Sequence, residues 1–524
     1  MHKFLSRRVQ LFFLSGLSLL GSGLVFLVTA RYGAGLAGDS IHYISVAQNL
    51  LRGQGLIDYA GGPLILFPPL LSILLAGLAW LFRVDVFVAG WVLDALLFGV
   101  NIFLGGLFFM RIFQTRPLYF YLANLFVFFS PSALMMHASI LSDPLFLTFT
   151  LVFFLLGERY IQYRDGWSLP GLLLVATLAP LLRYSGFAHI VSGSLIVLYA
   201  YRRQVWKGIP LAGLFGTLSL LPTALWIYLH NYLPYGTWWG TSNAAGADPL
   251  INILQSLRKM MYWFIPYRPF TRDGFVEPII IIGVMLAILI MINSVKNWGI
   301  WLREFAQPVL VSMLIFTLVY YSSSVLNIQT ADHKLLVSDR YFVILMVPLL
   351  ALLFISFDRL ILSHMHWQPA WMDTALLVVF LLWLSYPGYR IYKYIDASLL
   401  DGESGYNQYN TRAYHQSETL RQVNLLLEKE PGARLYSNIS PAVWFYTRHT
   451  ASFPPAQDVP RTKDEIKKDL AGWPYDRPGY YIWLDPDPYK LFMPLNDLAL
   501  VADMEVQQRL SDGLIVRVWA RGGP

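Results

Sequence analysis

Two carboxylates and three cations, spread over four polar loops, are the residues of this sequence best suited to chemistry. They are Asp39 in "LAGDSIHY", Asp143 in "HASILSDPLF", Arg183 in "LLRYSGFAH", and Lys334 with Arg340 in "NIQTADHKLLVSDRYF". A carboxylate within reach of a hydroxyl takes its proton as a new bond forms. Arginine holds phosphate or another oxyanion bidentately, and lysine does so as a point charge. His333 is a weaker member of the cationic set, and His42, Tyr43, Tyr184 and Tyr341 are expected to line the cavity where these groups meet.

Each residue also has a plainer reading. Asp39-Ser40 opens an apolar pattern at positions 43, 46, 47, 50 and 51 that stops at Gly53, which is an amphipathic helix with a capping residue at its start. Ser142-Asp143-Pro144 reads the same way, since proline favours the first helical turn. Arg183 and Arg340 sit at the ends of apolar segments, where long cationic side chains snorkel, and the tyrosines suit an interfacial belt. Asp94 differs, because "WVLDALLFGVN" places it about two turns inside an apolar segment. An acid there costs a few kcal/mol. A structural partner is expected, either Asn101 or a polar group of a neighbouring segment, with substrate access as the other reading.

The elements that must position these residues are membrane helices. Of the 524 residues 56% are hydrophobic and only 14% charged, against about 25% charged in soluble domains. The net charge of +7 reads as a topology signal beside membrane spans rather than as nucleic-acid affinity. With no cysteine, disulfides and thiolate metal sites are excluded. The first apolar stretch is long enough to cross a bilayer, which takes roughly 20 residues, and is expected to be an uncleaved first span.

Lys3, Arg7 and Arg8 ahead of that span put the N-terminus in the cytoplasm. The segment 64–82 is expected to lie along the outer interface, because it opens with Pro68-Pro69 and is short after them. Spans are then expected near 9–30, 86–110, 117–136, 144–163, 168–182, 187–201, 209–229, 277–293, 307–322, 342–357 and 371–388. This count leaves Arg111, Arg116, Arg159, Arg164, Arg202, Arg203, Lys207, Lys296, Arg303 and Arg359 on the inner side, and all of the candidate site residues on the outer one. Beyond 388 the composition becomes that of a soluble module. "TRAYHQSETLRQVNLLLEKEPG" has helical periodicity, and "ARLYSN", "GYYIWL", "LALVADME" and "GLIVRVWA" read as short strands. The fold class expected is a membrane all-α bundle of about eleven transmembrane helices with outer interfacial helices (1–388), followed by a small extracytoplasmic α/β domain (389–524).

An acid just after the first span, then "Y…A.NLLRGQGL" and "FPPLLSILLAGL", resembles the polyprenyl-phosphate-dependent glycosyltransferases of the GT-C superfamily. The protein O-mannosyltransferase and lipid A aminoarabinose transferase group is the most similar. "LSDPLFLTFTLVFF", "LLRYSGFAH" and "SDRYFVILMVPLL" look like the later landmarks of that group. The resemblance implies an outward cavity, a lipid-phosphate sugar donor, an inverting displacement and a base in the first outer loop. Asp39 matches that base, although Ser40 stands where many members have a second acid. Asp143 matches the second-loop acid, which would orient the acceptor or share the base role. Arg183, Lys334, Arg340 and His333 would hold the donor phosphate. Phe67-Pro68-Pro69 stands where many members have Lys-Pro-Pro, so a cation often found there is missing. The implied partners are a polyprenyl-phosphate sugar and a lipid, glycan or protein acceptor, with no divalent metal or other cofactor required. A bacterial inner membrane is the expected location. Two rival readings are a lipid-linked sugar flippase, which would need a midplane site reached from both sides, and a non-catalytic assembly partner that keeps the fold.

Overall fold

The computed structural model describes residues 6–114, 116–238, 249–264, 306–330, 338–356, 371–455, 462–470, 472–474, 478–485 and 492–521. Among them, six helices are long and apolar enough to cross a membrane, or seven with one bent pair. The chain is an integral membrane protein built mostly of helices. The first ten helices are α1 (Arg7–Val28), α2 (Gly38–Leu51), α3 (Leu70–Phe82), α4 (Val86–Ile112), α5 (Pro117–Phe128), α6 (Pro131–His137), α7 (Asp143–Tyr163), α8 (Ser168–Leu182), α9 (Phe187–Ala200) and α10 (Val205–Trp226). Pro249–Phe264, Pro308–Thr330, Met346–Ser356 and Trp371–Asp401 follow.

Several helices differ from the expected spans for local reasons. The segment 117–136 is not one helix: α5 and α6 meet at a 53° bend, where Ser130 caps the next helix and Pro131 cannot continue the last. The 13 residues of α3 are too few to cross a bilayer at 1.5 Å per residue, which fits a helix lying along the interface. The helix Trp371–Asp401 runs 31 residues, well past 388. The expected span 277–293 lies outside the described residues.

Close approach of α1 to α4 sets the base of the bundle. A Cβ on Gly99 would sit 2.6 Å from the Ser18 carbonyl oxygen and 2.4 Å from Ser22 Oγ, so the two backbones touch where only glycine fits. Along α4 the polar residues Asp94 and Asn101 are two turns apart and both buried, which aims them from one face into the protein.

Three strands follow the alternating segments in the sequence, β1 (Leu435–Ser437), β3 (Gly479–Leu484) and β5 (Gly513–Ala520), whereas β4 (Ala502–Leu510) begins four residues into the segment expected at 498–505, after the short helix Leu495–Leu498 and a turn. The two-residue β2 (Ala451–Ser452) is too short to leave a pattern. The sheet order is β2-β1-β3-β5-β4, with β1 parallel to β2 and β3 and the β4–β5 hairpin antiparallel. Helix Glu418–Lys429 packs on this sheet, and its N-terminus is held by Ser417 and by Asp512, whose Oδ1 accepts from Thr419 N at 3.0 Å and Thr419 Oγ1 at 2.7 Å.

Gly99→Leu is expected to separate α1 from α4 at a cost of about 1–3 kcal/mol, the usual range for overpacking. The check is the thermal midpoint of the detergent-solubilised chain, and an unchanged midpoint contradicts the close packing.

Candidate active site

The two acids expected to cap helices do not cap them. In α2 the cap position belongs to Ala37, whose backbone N–H donates to Ser40 Oγ at 2.9 Å. This leaves Asp39 in the first turn with its carboxylate free, and Arg340 Nη2 donates to Asp39 Oδ2 at 2.6 Å. In α7 the cap residue Ser142 makes no capping bond. Its Oγ instead meets Tyr43 OH at 3.1 Å and accepts from Arg183 Nη1 at 3.1 Å. Asp143 is then paired with Arg183, Oδ2 to Nη1, at 2.5 Å. Both carboxylates sit in the first turn of a helix, where the helix dipole favours their charge.

Tyr341 lies between the two pairs. The guanidinium of Arg340 is 5.0 Å from its ring and that of Arg183 is 5.6 Å, and its hydroxyl accepts from Arg340 Nη2 at 3.2 Å. The Tyr341 carbonyl in turn accepts from Tyr320 OH at 2.9 Å. Four loops far apart in sequence thus converge on Asp39, Tyr43, Asp143, Arg183, Arg340 and Tyr341.

Burial governs the electrostatics here. The Asp143 side chain is 2% exposed and Arg183 14%, whereas Asp39 keeps 26%. Burial works against the charge on Arg183, and Asp143, then Tyr43, more than offset it. Burial likewise opposes the charge on Arg340 and is outweighed by Asp143 and then Asp39. Both guanidiniums are held firmly protonated, and each feels Asp143. Burial, followed by the nearby charge of Asp39, pushes the Tyr43 phenol above its ordinary range. Tyr43 therefore acts as a neutral hydrogen-bonding group.

The remaining sequence candidates fall elsewhere. Tyr184 OH donates to the Ile65 carbonyl and accepts from Asn231 Nδ2, both at 3.4 Å, so it pins the segment leading into α3. His42 turns to Asp58, Nδ1 to Oδ2, at 3.3 Å. His333 and Lys334 lie outside the described residues. His137 and His189 are buried partners of Asn101 and Thr150 at 3.0 and 3.1 Å.

Asp94 does not bond Asn101. Its Oδ2 accepts from the backbone N–H of Leu141 at 3.2 Å, two residues before Asp143, and Asn101 Nδ2 donates to the Pro144 carbonyl at 2.9 Å. The polar face of α4 thereby fixes the turn that carries Ser142 and Asp143. Seven-residue spacing made Asn101 the obvious partner, but the two side chains point the same way and bond successive parts of one loop.

Sequence reading gave no sign of a second support, a strap at residues 402–410. Gln408 N donates to the Leu36 carbonyl at 2.8 Å, Gly38 N donates to Gln408 Oε1 at 3.1 Å, and Asn410 Nδ2 donates to the Tyr32 and Ala34 carbonyls at 2.8 Å each. The approach is so close that a Cβ on Gly35 would meet the Ser404 carbonyl oxygen at 2.0 Å. Tyr406 OH reaches Asp339, the neighbour of Arg340, at 2.7 Å, and Ser132 Oγ donates to the same carboxylate at 2.6 Å. One strap holds the loop before Asp39 and the turn before Arg340. Only its run of Asn, Gln, Tyr and Gly hints at this in the sequence.

The fold built around these residues has counterparts among solved structures. ArnT from Cupriavidus metallidurans in the apo state superposes with a TM-score of 0.56 at 15% identity, over 96% of this chain and 97% of that one. The same protein bound to undecaprenyl phosphate gives 0.54 at 14% identity over the same shares. The Archaeoglobus fulgidus oligosaccharyltransferase in complex with zinc and sulfate gives 0.53 at 11% identity, over 89% of this chain and 68% of that one. This chain has the GT-C fold. No protein-family model and no curated protein matches it in sequence. The likeness therefore lives in the backbone.

Removing either support is expected to loosen the site more than the fold. Asp94→Ala leaves the Leu141 N–H without its partner, at about 1–3 kcal/mol, while Asp94→Asn keeps an acceptor and should cost less. Thermal midpoints of the two variants check this order, and equal losses contradict it. Tyr406→Phe should lower activity with little change in thermal midpoint, because one hydrogen bond to Asp339 is removed.

Proposed function

We propose that this chain is a membrane glycosyltransferase that moves a sugar from a polyprenyl-phosphate donor to an extracytoplasmic acceptor. The observation that carries the proposal is the pairing of Asp39 with Arg340 and Asp143 with Arg183 around Tyr341. Two guanidiniums so placed are a ready-made clamp for a leaving phosphate, and the carboxylates beside them can take a proton or hold a hydroxyl. In the resting protein each cation neutralises an acid. A donor phosphate on Arg340 would take over its charge and free Asp39. The most exposed of the four side chains, Asp39, is the base in this reading, and Asp143 orients the acceptor.

The step is a single inverting displacement. The acceptor oxygen forms its bond to the anomeric carbon while the bond to the phosphate oxygen breaks. The electron pair leaves with the polyprenyl phosphate, and the acceptor proton goes to Asp39. Charge developing on the leaving phosphate meets fixed guanidiniums that need no reorganisation. A neighbour with the same fold is bound to undecaprenyl phosphate, which supports a lipid of that class here. In this reading no metal or other cofactor is required. His333 and Lys334 remain candidates for the same phosphate.

This reading places the chain in a bacterial inner membrane, with a cytoplasmic N-terminus and residues 389–524 outside. A transporter is less well supported, because the charged groups gather at helix ends while the acid within α4 is spent on a backbone N–H.

Sugar release from a panel of radiolabelled polyprenyl-phosphate sugars, in native membranes, tests the proposal. Asp39→Asn should lose about 100- to 10,000-fold in turnover with donor binding kept, and turnover equal to wild type removes Asp39 as the base. A chelator should leave wild-type turnover unchanged. Since the chain has no cysteine, a single cysteine at Gly432 reports the topology: an impermeant maleimide should label it from outside intact cells, and labelling only after lysis reverses the orientation.

A further inference from the structure

His42 and Asp58 form a second acid-containing pair that the displacement above does not use. Asp58 is fixed before the histidine meets it: its Oδ1 accepts from the backbone N–H groups of Ala60 at 2.9 Å and Gly62 at 3.0 Å. These bonds close the small hairpin in which Ile57 pairs with Pro63. Its other oxygen, Oδ2, stands 3.3 Å from His42 Nδ1. The His42 ring is packed against Tyr59 at 4.9 Å and Phe67 at 5.1 Å, so its orientation is fixed from both sides. Yet 21% of the His42 side chain is exposed, against 14% for Asp58.

This geometry favours one tautomer. A carboxylate beside Nδ1 attracts the hydrogen to that nitrogen, and in a neutral ring the lone pair is then on Nε2. That is how a buried acid prepares a histidine to accept a proton. The place of the pair in the fold gives it a donor. His42 follows Asp39 by three residues on α2, so the two side chains are neighbours on one helix face, where Cβ atoms lie about 5–6 Å apart. Phe67 touches both His42 and Tyr43, the latter at 5.3 Å, and Tyr43 reaches the Ser142–Arg183–Asp143 group. Among the described residues, the ionisable groups nearest His42 by contact or by place on α2 are Asp58 and Tyr59 on the hairpin, Asp39 with its partner Arg340, and Tyr43. Of the helices packed against α2, α3 carries none, α4 carries Asp94 and Arg111, and Ser440–Thr447 carries Tyr446.

Asp39 needs such an outlet. While the polyprenyl phosphate sits on Arg340 the protonated acid is tolerated, but once that phosphate leaves, a neutral acid beside a buried guanidinium is an unfavourable arrangement. We propose that His42, oriented by Asp58, takes the proton from Asp39 after each transfer and releases it to solvent. The inference rests on the glycosyl-transfer reading above. The proton moves from the Asp39 carboxyl to the Nε2 lone pair, an imidazolium forms beside the Asp58 carboxylate, and Asp39 returns to its pair with Arg340. The imidazolium then loses the proton through its exposed edge, and no other reactant is needed.

The test uses the full chain in nanodiscs. His42→Gln and Asp58→Asn should each lower kcat roughly 10- to 100-fold, a modest share of general acid–base effects, with the donor KM unchanged. Asp58→Asn keeps an acceptor for Ala60 and Gly62, so the hairpin survives and loss of kcat cannot be assigned to unfolding. Variants that match wild type in kcat at every pH, while melting earlier, overturn the relay and leave a structural pair. Nitrogen NMR of histidine-labelled protein reads the pair without turnover, the His42 signals being those missing in His42→Gln. A neutral His42 carrying its proton on Nδ1 supports the inference, and one carrying it on Nε2 overturns it. If wild type turns over no donor while NMR shows the Nδ1 proton, the transfer reading falls and takes the relay with it, and the pair itself stands.

Discussion

Four charges brought together beside lipid have to neutralise one another, and the rest of the site follows from that constraint. An isolated carboxylate or guanidinium taken out of water costs several kcal/mol even after relaxation. Asp143, at 2% exposure, is affordable only against Arg183, and Arg340 only against Asp39. Tyr341 between the cations adds a polarisable face to both. A cluster balanced in this way is stable when empty and strongly attractive to one more anion, because each guanidinium can exchange a carboxylate for a phosphate without being left alone.

Keeping that balance demands rigid supports, and the molecule supplies them from two directions. From within the bundle, the polar face of α4 holds the turn before α7 through Asp94 and Asn101. From the other side, the strap at 402–410 holds the loop before α2 and, through Tyr406, the carboxylate next to Arg340. Both partners of the Asp39–Arg340 pair therefore depend on a strap that begins more than sixty positions beyond Arg340 and more than three hundred and sixty beyond Asp39. A change in the strap is felt at the pair through the backbone beside Asp39 and through Asp339.

The membrane character and the helical bundle were legible because apolar length is a local property. So were four of the five strands, β4 only in part, from their alternating β-branched and aromatic residues. Asp39, Asp143, Arg183 and Arg340 were legible as a set because each stands where an apolar segment ends. Their partners were not, since pairing across four loops depends on backbone approach that no spacing encodes. The capping reading of Asp39 and Ser142 failed for a related reason: tertiary partners outbid the local N–H groups, and Ser40 capped Ala37 instead. The bend at Pro131 could have been read from Ser130-Pro131, and a single helix was expected because the apolar run is continuous on both sides. Asp58 went unnoticed because a lone acid in a glycine-rich turn reads first as a turn residue, which it also is.

The measurement closest to the central claim is a structure of this chain with a polyprenyl phosphate bound. The ion-pair account predicts phosphate oxygens on the guanidinium of Arg340 or Arg183, with Asp39 Oδ2 withdrawn from its 2.6 Å contact and turned toward the anomeric position of a donor. Phosphate bound elsewhere, with both ion pairs intact, would contradict it.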